Sequence, residues 1–200
     1  MAIDLPLLPR TASVVPGLTD NSARLKPPLG GPSQTILRGG NRYYAKVSIP
    51  ALKYDTTCAR AWIAAMLRHK TEGGLLRLRW PQADAASLPV AALVNGAGQT
   101  GALLAADGLG AGVAAPALSF FSFISSGKSY LHSTTSAVVA DGGGAAFLTI
   151  APSLRVSPAD NLALNFTTPV IEGEMDLGPV EWTLERLRWV GVSFTITEIQ

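Results

Sequence analysis

Charge is spread very unevenly along this chain, and that unevenness limits what it can fold into. From Leu88 to Phe166 the charged residues are Asp107, Lys128, Asp141, Arg155 and Asp160, about 6% of the span, against about 21% elsewhere. The same span is rich in Gly, Ala and Ser. It is punctuated by turn signals at Asn95-Gly96, Asp107-Gly108, Ser126-Gly127, Asp141-Gly142 and Pro158-Ala159-Asp160-Asn161. Short strands between regularly spaced turns make a small barrel or sandwich. The economical account is an inner β unit at residues 88–166, inserted into an outer domain built from residues 1–87 and 167–200. A continuous 200-residue sandwich is the alternative.

The flanks carry different patterns. In Asn41–Ile49 (NRYYAKVSI), Tyr43, Ala45, Val47 and Ile49 alternate with Tyr44, Lys46 and Ser48, as in a half-buried strand, which Pro50 is expected to end. Asp55 is a good N-cap for a helix whose apolar face is Ala59, Trp62, Ile63, Met66 and Leu67. Gly73-Gly74 stops it after Lys70. Leu75–Trp80 (LLRLRW) alternates again. The C-terminal part from Glu181 to Ile199 reads as two strands separated by Gly191. With hydrophobic residues at 48%, 20 Gly and 14 Pro, the expected class is α+β, mostly β, with one helix.

Several functions are excluded by composition. The 16 basic and 14 acidic residues leave a formal charge of +2, and the cations form no run able to grip phosphates, so no nucleic-acid recognition is expected. The single cysteine, Cys58, allows neither an internal disulfide nor a thiolate cluster. Met1–Pro9 lacks a basic start and a long apolar run and reads as a mature cytoplasmic N-terminus. The span from Ala85 to Leu118 is interrupted too often for a membrane helix of about eighteen apolar residues.

Individual motifs give little chemistry. Gly96-Ala97-Gly98-Gln99-Thr100-Gly101 matches G-x-G-x-x-G, the fingerprint a small nucleotide-dependent enzyme would use. The segment after it is too short for the required helix, and no carboxylate follows about twenty residues on. A glycine-rich turn between two strands is the plainer reading. His69 falls in the last turn of the helix, where an exposed cation is favoured, and His132 reads as a strand residue. Cys58, in the first helical turn, reads as a packed, inert thiol. Glu172, Glu174 and Asp176 alternate along an extended segment, which places three carboxylates on one strand face. They could hold a hard cation, lie in solvent, or meet basic residues of another subunit. Trp62 and Trp80 read as core, and Phe120, Phe121, Phe123 and Tyr130 as a barrel interior. No catalytic constellation, cofactor or metal is expected.

The order of features is similar to that of the distal tail proteins of long-tailed siphophages and related prophages. The resemblance rests on Val47-Ser48-Ile49-Pro50, the helix with Ala59-x-x-Trp62-Ile63, Arg79-Trp80-Pro81 and the turn Val94 to Gly101. It continues through Tyr130-Leu131-His132, Ala140-Asp141-Gly142, Leu148-Thr149-Ile150-x-Pro152-x-Leu154-Arg155, Pro158-Ala159-Asp160 and Gly191-x-Ser193-Phe194. It implies a tail-tube-like β-sandwich with one helix, interrupted by a small OB-like β-barrel. It also implies a non-enzymatic virion protein of the tail tip, made in the bacterial host cytoplasm. Such a protein assembles as a homo-oligomeric ring, expected to be a hexamer, between the tail tube protein and the hub or fibre proteins. The alternative is a host-surface saccharide-binding module acting through the loops of the barrel. The first forty residues, with Pro27-Pro28 and Gly30-Gly31-Pro32, match least and are expected to form an extended arm over a neighbour. A ring needs two complementary surfaces on each subunit. The candidate pair is Arg38, Arg42 and Lys46 on one segment against Glu172, Glu174 and Asp176 on another.

Overall fold

The computed structural model describes residues 2–36, 38–54, 57–82, 85–176, 178–184 and 189–199. In chain order its elements are β1 (Ala2–Asp4), β2 (Ser13–Thr19), β3 (Ala23–Leu25), β4 (Gln34–Ile36), β5 (Arg42–Lys53), α1 (Thr57–Glu72), β6 (Leu75–Arg79), β7 (Leu93–Val94), β8 (Gly101–Asp107), β9 (Ala114–Ala115), β10 (Phe120–Ser125), β11 (Lys128–Thr134), β12 (Val138–Val139), β13 (Ala146–Leu154), β14 (Val170–Met175), β15 (Trp182–Leu184) and β16 (Trp189–Glu198). The protein is therefore mostly β, with one α-helix among the described residues.

Strand alternation builds the larger sheet. Its order is β1-β6-β14-β16-β5-β2, with β15 added on β16. On β5, Tyr43, Ala45, Val47 and Ile49 are buried while Lys46 and Ser48 face solvent, as their alternation requires. Pro50 does not end this strand, nor does Gly191 separate two others. Pairing steps from Val192↔Ile49 to Val190↔Leu52, so Gly191 sits opposite Pro50 and Ala51 in a β-bulge. A bulge tolerates a proline that cannot donate to the ladder, and a Cβ on Gly191 would lie 3.4 Å from the Pro50 carbonyl oxygen.

Helix α1 lies on the inner face of this sheet. Ala59, Trp62, Ile63 and Met66 are buried at i, i+3, i+4 and i+7, and the Trp62 ring packs 5.9 Å from that of Phe194. Leu67, expected on the same face, falls at its rim and is 42% exposed; Ala65 is buried in its stead. Gly73, at φ +70°, ends the helix in the left-handed region and donates its N–H to the His69 carbonyl at 3.0 Å. The N-cap expected at Asp55 lies outside the described residues. The core on the sheet's inner face is thus shared by the helix and by Leu131 and Phe120 of the second sheet. It joins α1 to Leu76, Leu78, Ile171, Val192 and Ile196.

A second core forms where charge is scarce. Its sheet runs β10-β11-β13-β8-β7. Residues 161–165 then join its two edges: Val94 N–H donates to Leu162 and Leu164 N–H to Ala92, while Ser122 and Asn165 exchange both backbone hydrogen bonds. Leu104, Phe121, Phe123, Leu148, Leu164 and Phe166 fill the interior. Strands β10 and β11 meet in a two-residue turn, Ser126-Gly127, both at positive φ, the conformation that matches strand twist.

The chain leaves the seven-stranded sheet after β6 and returns in β14, its own antiparallel neighbour, where Val170 pairs with Arg79. Trp80 N–H donates to the Pro169 carbonyl at 2.7 Å, so departure and return are hydrogen-bonded to each other. The two cores touch: Leu131 of β11 is buried in the first, and the Phe120 ring packs on Tyr43 and Trp80 at 5.5 and 5.0 Å.

Candidate functional site

Four of the six candidate interface residues come together, on one surface. Arg42 and Lys46 of β5, Glu174 of β14 and Asp176 just beyond it lie on the outer face of the larger sheet, with β16 between the two strands. Glu174 pairs with Thr197, which pairs with Tyr44; the Asp176 N–H bonds to Thr195, which pairs with Lys46. The two charged segments are therefore about 10 Å apart at ordinary strand spacing, not on the two separate surfaces that head-to-tail contact between them requires. Arg38 is exposed and lies apart from them, near the foot of the β3–β4 arm.

Glu172 needs correction. It is 3% exposed, and its Oε2 accepts the Arg77 Nε–H at 2.6 Å and the Ser129 N–H at 3.0 Å. The β10–β11 hairpin covers this end of β14, so the three carboxylates do not form one open row. Alternation along the strand could not reveal this, because the cover comes from a segment some forty residues away in sequence.

A second buried carboxylate was missed altogether. Glu198 closes the alternating row Val190, Val192, Phe194, Ile196 on β16, which carries it to the inner face where the two bodies meet. Oε2 accepts the Tyr43 N–H at 3.0 Å, and Oε1 accepts the Leu131 N–H at 2.8 Å and an Arg155 Nη2–H at 2.9 Å. Burial pushes the carboxyl's pKa up, against the pull of the Arg155 charge and the two backbone donors. Nearby, the Tyr43 hydroxyl lies 2.8 Å from Ser133 Oγ, and burial raises its pKa too. The parity of the apolar row was the signal that could have found Glu198.

The remaining motifs are structural. The Gly96–Gly101 segment joins β7 to β8 with no helix after it. Gly96, Gly98 and Gly101 all have positive φ, and the Gln99 side chain clamps the turn by bonding Asn95, Gly96 and Ala105. His69 is not an exposed cap: it is buried, its Nδ1 bonds the Gly74 carbonyl and its Nε2 accepts the Met175 N–H at 3.3 Å. That imidazole ties the helix end to β14. His132 is wholly buried between the Phe121 and Phe123 rings, and its Nδ1–H donates to the Pro152 carbonyl at 2.9 Å. Burial lowers its pKa to about 4, which keeps the ring neutral and sealed from any substrate. Trp80 is core as expected, whereas Phe120 faces the first core, away from the Phe121 and Phe123 rings. The Cys58 side chain lies outside the described set.

Among the described residues, no three His, Cys, Asp or Glu side chains gather as metal ligands, and no helix is long and apolar enough to cross a membrane. The surface presents an open sheet face of mixed charge and an exposed hairpin that carries Arg24 and Lys26. Comparison with protein-family models and with curated proteins finds no significant match to this chain.

Proposed function

We propose that this protein is a structural component of a phage tail tip, similar to distal tail proteins, which assembles into a ring joining the tail tube to the hub, fibre or receptor-binding apparatus. In this reading residues 1–87 and 167–200 are the tail-tube-like domain that forms the ring, expected to be a hexamer, and residues 88–166 are an inserted OB-like barrel. The protein acts in the virion, without catalysis and without a cofactor.

One observation carries the reading. A helix-backed sheet is interrupted between two of its paired neighbours, β6 and β14, by a small β body closed on itself, with departure and return bonded through Trp80 and Pro169. That build accords with the order of motifs that resembles the tail proteins. It leaves the outer sheet face free for contact with other chains.

Light scattering after size-exclusion chromatography, with negative-stain imaging at high concentration, tests it. Rings with a central opening are expected. A strict monomer at every concentration that also fails to enter tail particles would overturn the proposal.

A further inference from the structure

The β3–β4 hairpin has no structural reason to exist on its own. Its strands pair only with each other, and every residue from Arg24 to Ile36 is exposed, including Leu25, Ile36 and, at its tip, Leu29 with 97% of its surface open. An isolated two-stranded hairpin is marginal in water, and apolar side chains gathered on a projecting element mark a contact surface. Yet the stem is fixed: the Asn21 N–H donates to Asn41 Oδ1 at 2.9 Å and its Nδ2–H to the Gly40 carbonyl at 2.7 Å. The arm is thereby rooted at the end of the β2–β5 pair, where Thr19 meets Arg42.

Near the opposite end of that strand pair lies a cleft of about 460 Å³. Met175, Val180 and Phe194 give it an apolar lining, Asp176 and Glu181 stand at its edge, and Lys46 at the other side. Val15 and Lys46, which border it, pair four residues back from Thr19 and Arg42, about 13 Å along the strands from the root of the hairpin. Because every residue from Arg24 to Ile36 is exposed, the chain's own arm does not occupy this cleft.

Charge makes the match specific. From Asn21 to Lys46 the chain has Arg24, Lys26, Arg38, Arg42 and Lys46 and no carboxylate. From Val170 to Leu184 it has Glu172, Glu174, Asp176 and Glu181 and no cation. We infer that the β3–β4 hairpin of one copy seats in this cleft of the next, with Leu29 entering the apolar lining and Arg24 and Lys26 meeting Asp176 and Glu181. The contact joins two different surfaces, so it propagates head to tail and closes as a ring or continues as a fibre. Opposite charges set its orientation and apolar burial its strength. The inference rests on the ring reading in taking the partner to be a second copy of this chain.

The test places benzoylphenylalanine at position 29 of the full chain, irradiates the assembled protein and maps the cross-link by mass spectrometry. The expected product is intermolecular and falls within residues 175–181 or 193–195; a map elsewhere, or within one chain only, overturns the inference. In parallel, Leu29→Asp should weaken self-association by about tenfold or more while leaving the melting temperature of the monomer unchanged. Arg24→Glu with Lys26→Glu should weaken it too, and adding Asp176→Lys with Glu181→Lys should restore it. If the parent chain forms rings that Leu29→Asp leaves intact, the docking is wrong and the ring reading stands; if the parent never associates, both fall.

Discussion

Arg155, just past the end of β13, holds its Nη2 2.9 Å from Oε1 of Glu198 at the end of β16, with 8% and 1% of the two side chains exposed. The pair joins residues from the two bodies, and the same carboxylate accepts backbone N–H groups from both, Tyr43 on β5 and Leu131 on β11. Cutting one side leaves a buried charge and orphaned donors. Arg155→Met should destabilise the protein by about 3–5 kcal/mol in urea unfolding; adding Glu198→Gln, which removes the buried charge and keeps an acceptor oxygen, should recover part of that loss, whereas adding Glu198→Leu, which orphans the Tyr43 and Leu131 N–H groups, should not. A single-variant loss under about 1 kcal/mol would mean the junction is not held there.

His132 makes stability depend on pH. Its folded pKa of about 4 lies below the ordinary 6.5, so on acidification the unfolded chain takes up the proton first. The stability conferred by the neutral ring is complete above about pH 6.5 and lost as pH falls through about 4, on the order of 3 kcal/mol in all. Glu198, raised by burial, contributes in the opposite sense, so the parent is compared with His132→Leu. Urea midpoints between about pH 7.5 and 4.5 should fall less steeply in the variant; parallel curves would remove His132 as the cause.

Trp62 is 1% exposed and fills the space between α1 and Phe194. Trp62→Ala should cost about 3–5 kcal/mol as a cavity-forming change, read by chemical denaturation. A loss below about 1 kcal/mol would show that the helix face is not the one buried.

Gly173 tests the approach of β14 to β16. A Cβ there would lie 2.0 Å from the Thr197 carbonyl oxygen, a backbone atom that cannot step aside alone. Gly173→Ala should therefore destabilise by about 3 kcal/mol, with Gly178→Ala, whose added carbon meets nothing within 4 Å, as the tolerant control. Equal melting temperatures for the two would contradict the close approach.

Local patterning made the helix, the alternation of β5 and the turns of the charge-poor span legible, because each is decided by residues within a few positions of one another. Pro50 and Gly191 misled for the same reason: each reads as a stop alone, and only their opposition across two strands makes a bulge. His69 looked like a solvent-facing cation beside Arg68 and Lys70, yet a strand one hundred residues later supplies its partner, Met175. Of the charged candidates, Arg42, Lys46, Glu174 and Asp176 lie on the open face their alternation predicts, while Glu172 is buried by a hairpin that no spacing rule could bring there.

The bonding of departure to return at Trp80 and Pro169 has a mechanical consequence. A tension applied to the smaller body pulls on the ends of β6 and β14 at the same side of their ladder, so the rungs are loaded one after another in peeling rather than all together in shear. The first to bear load is the Trp80–Pro169 bond, followed by Arg79–Val170 and Leu78–Ile171. Then comes Arg77–Glu172, the rung that carries an ion pair. That ion-paired rung and the Arg155–Glu198 contact resist such peeling together with the packing of Phe120 and Leu131 between the bodies, so the resistance is concentrated at the junction and not along the sheet behind it.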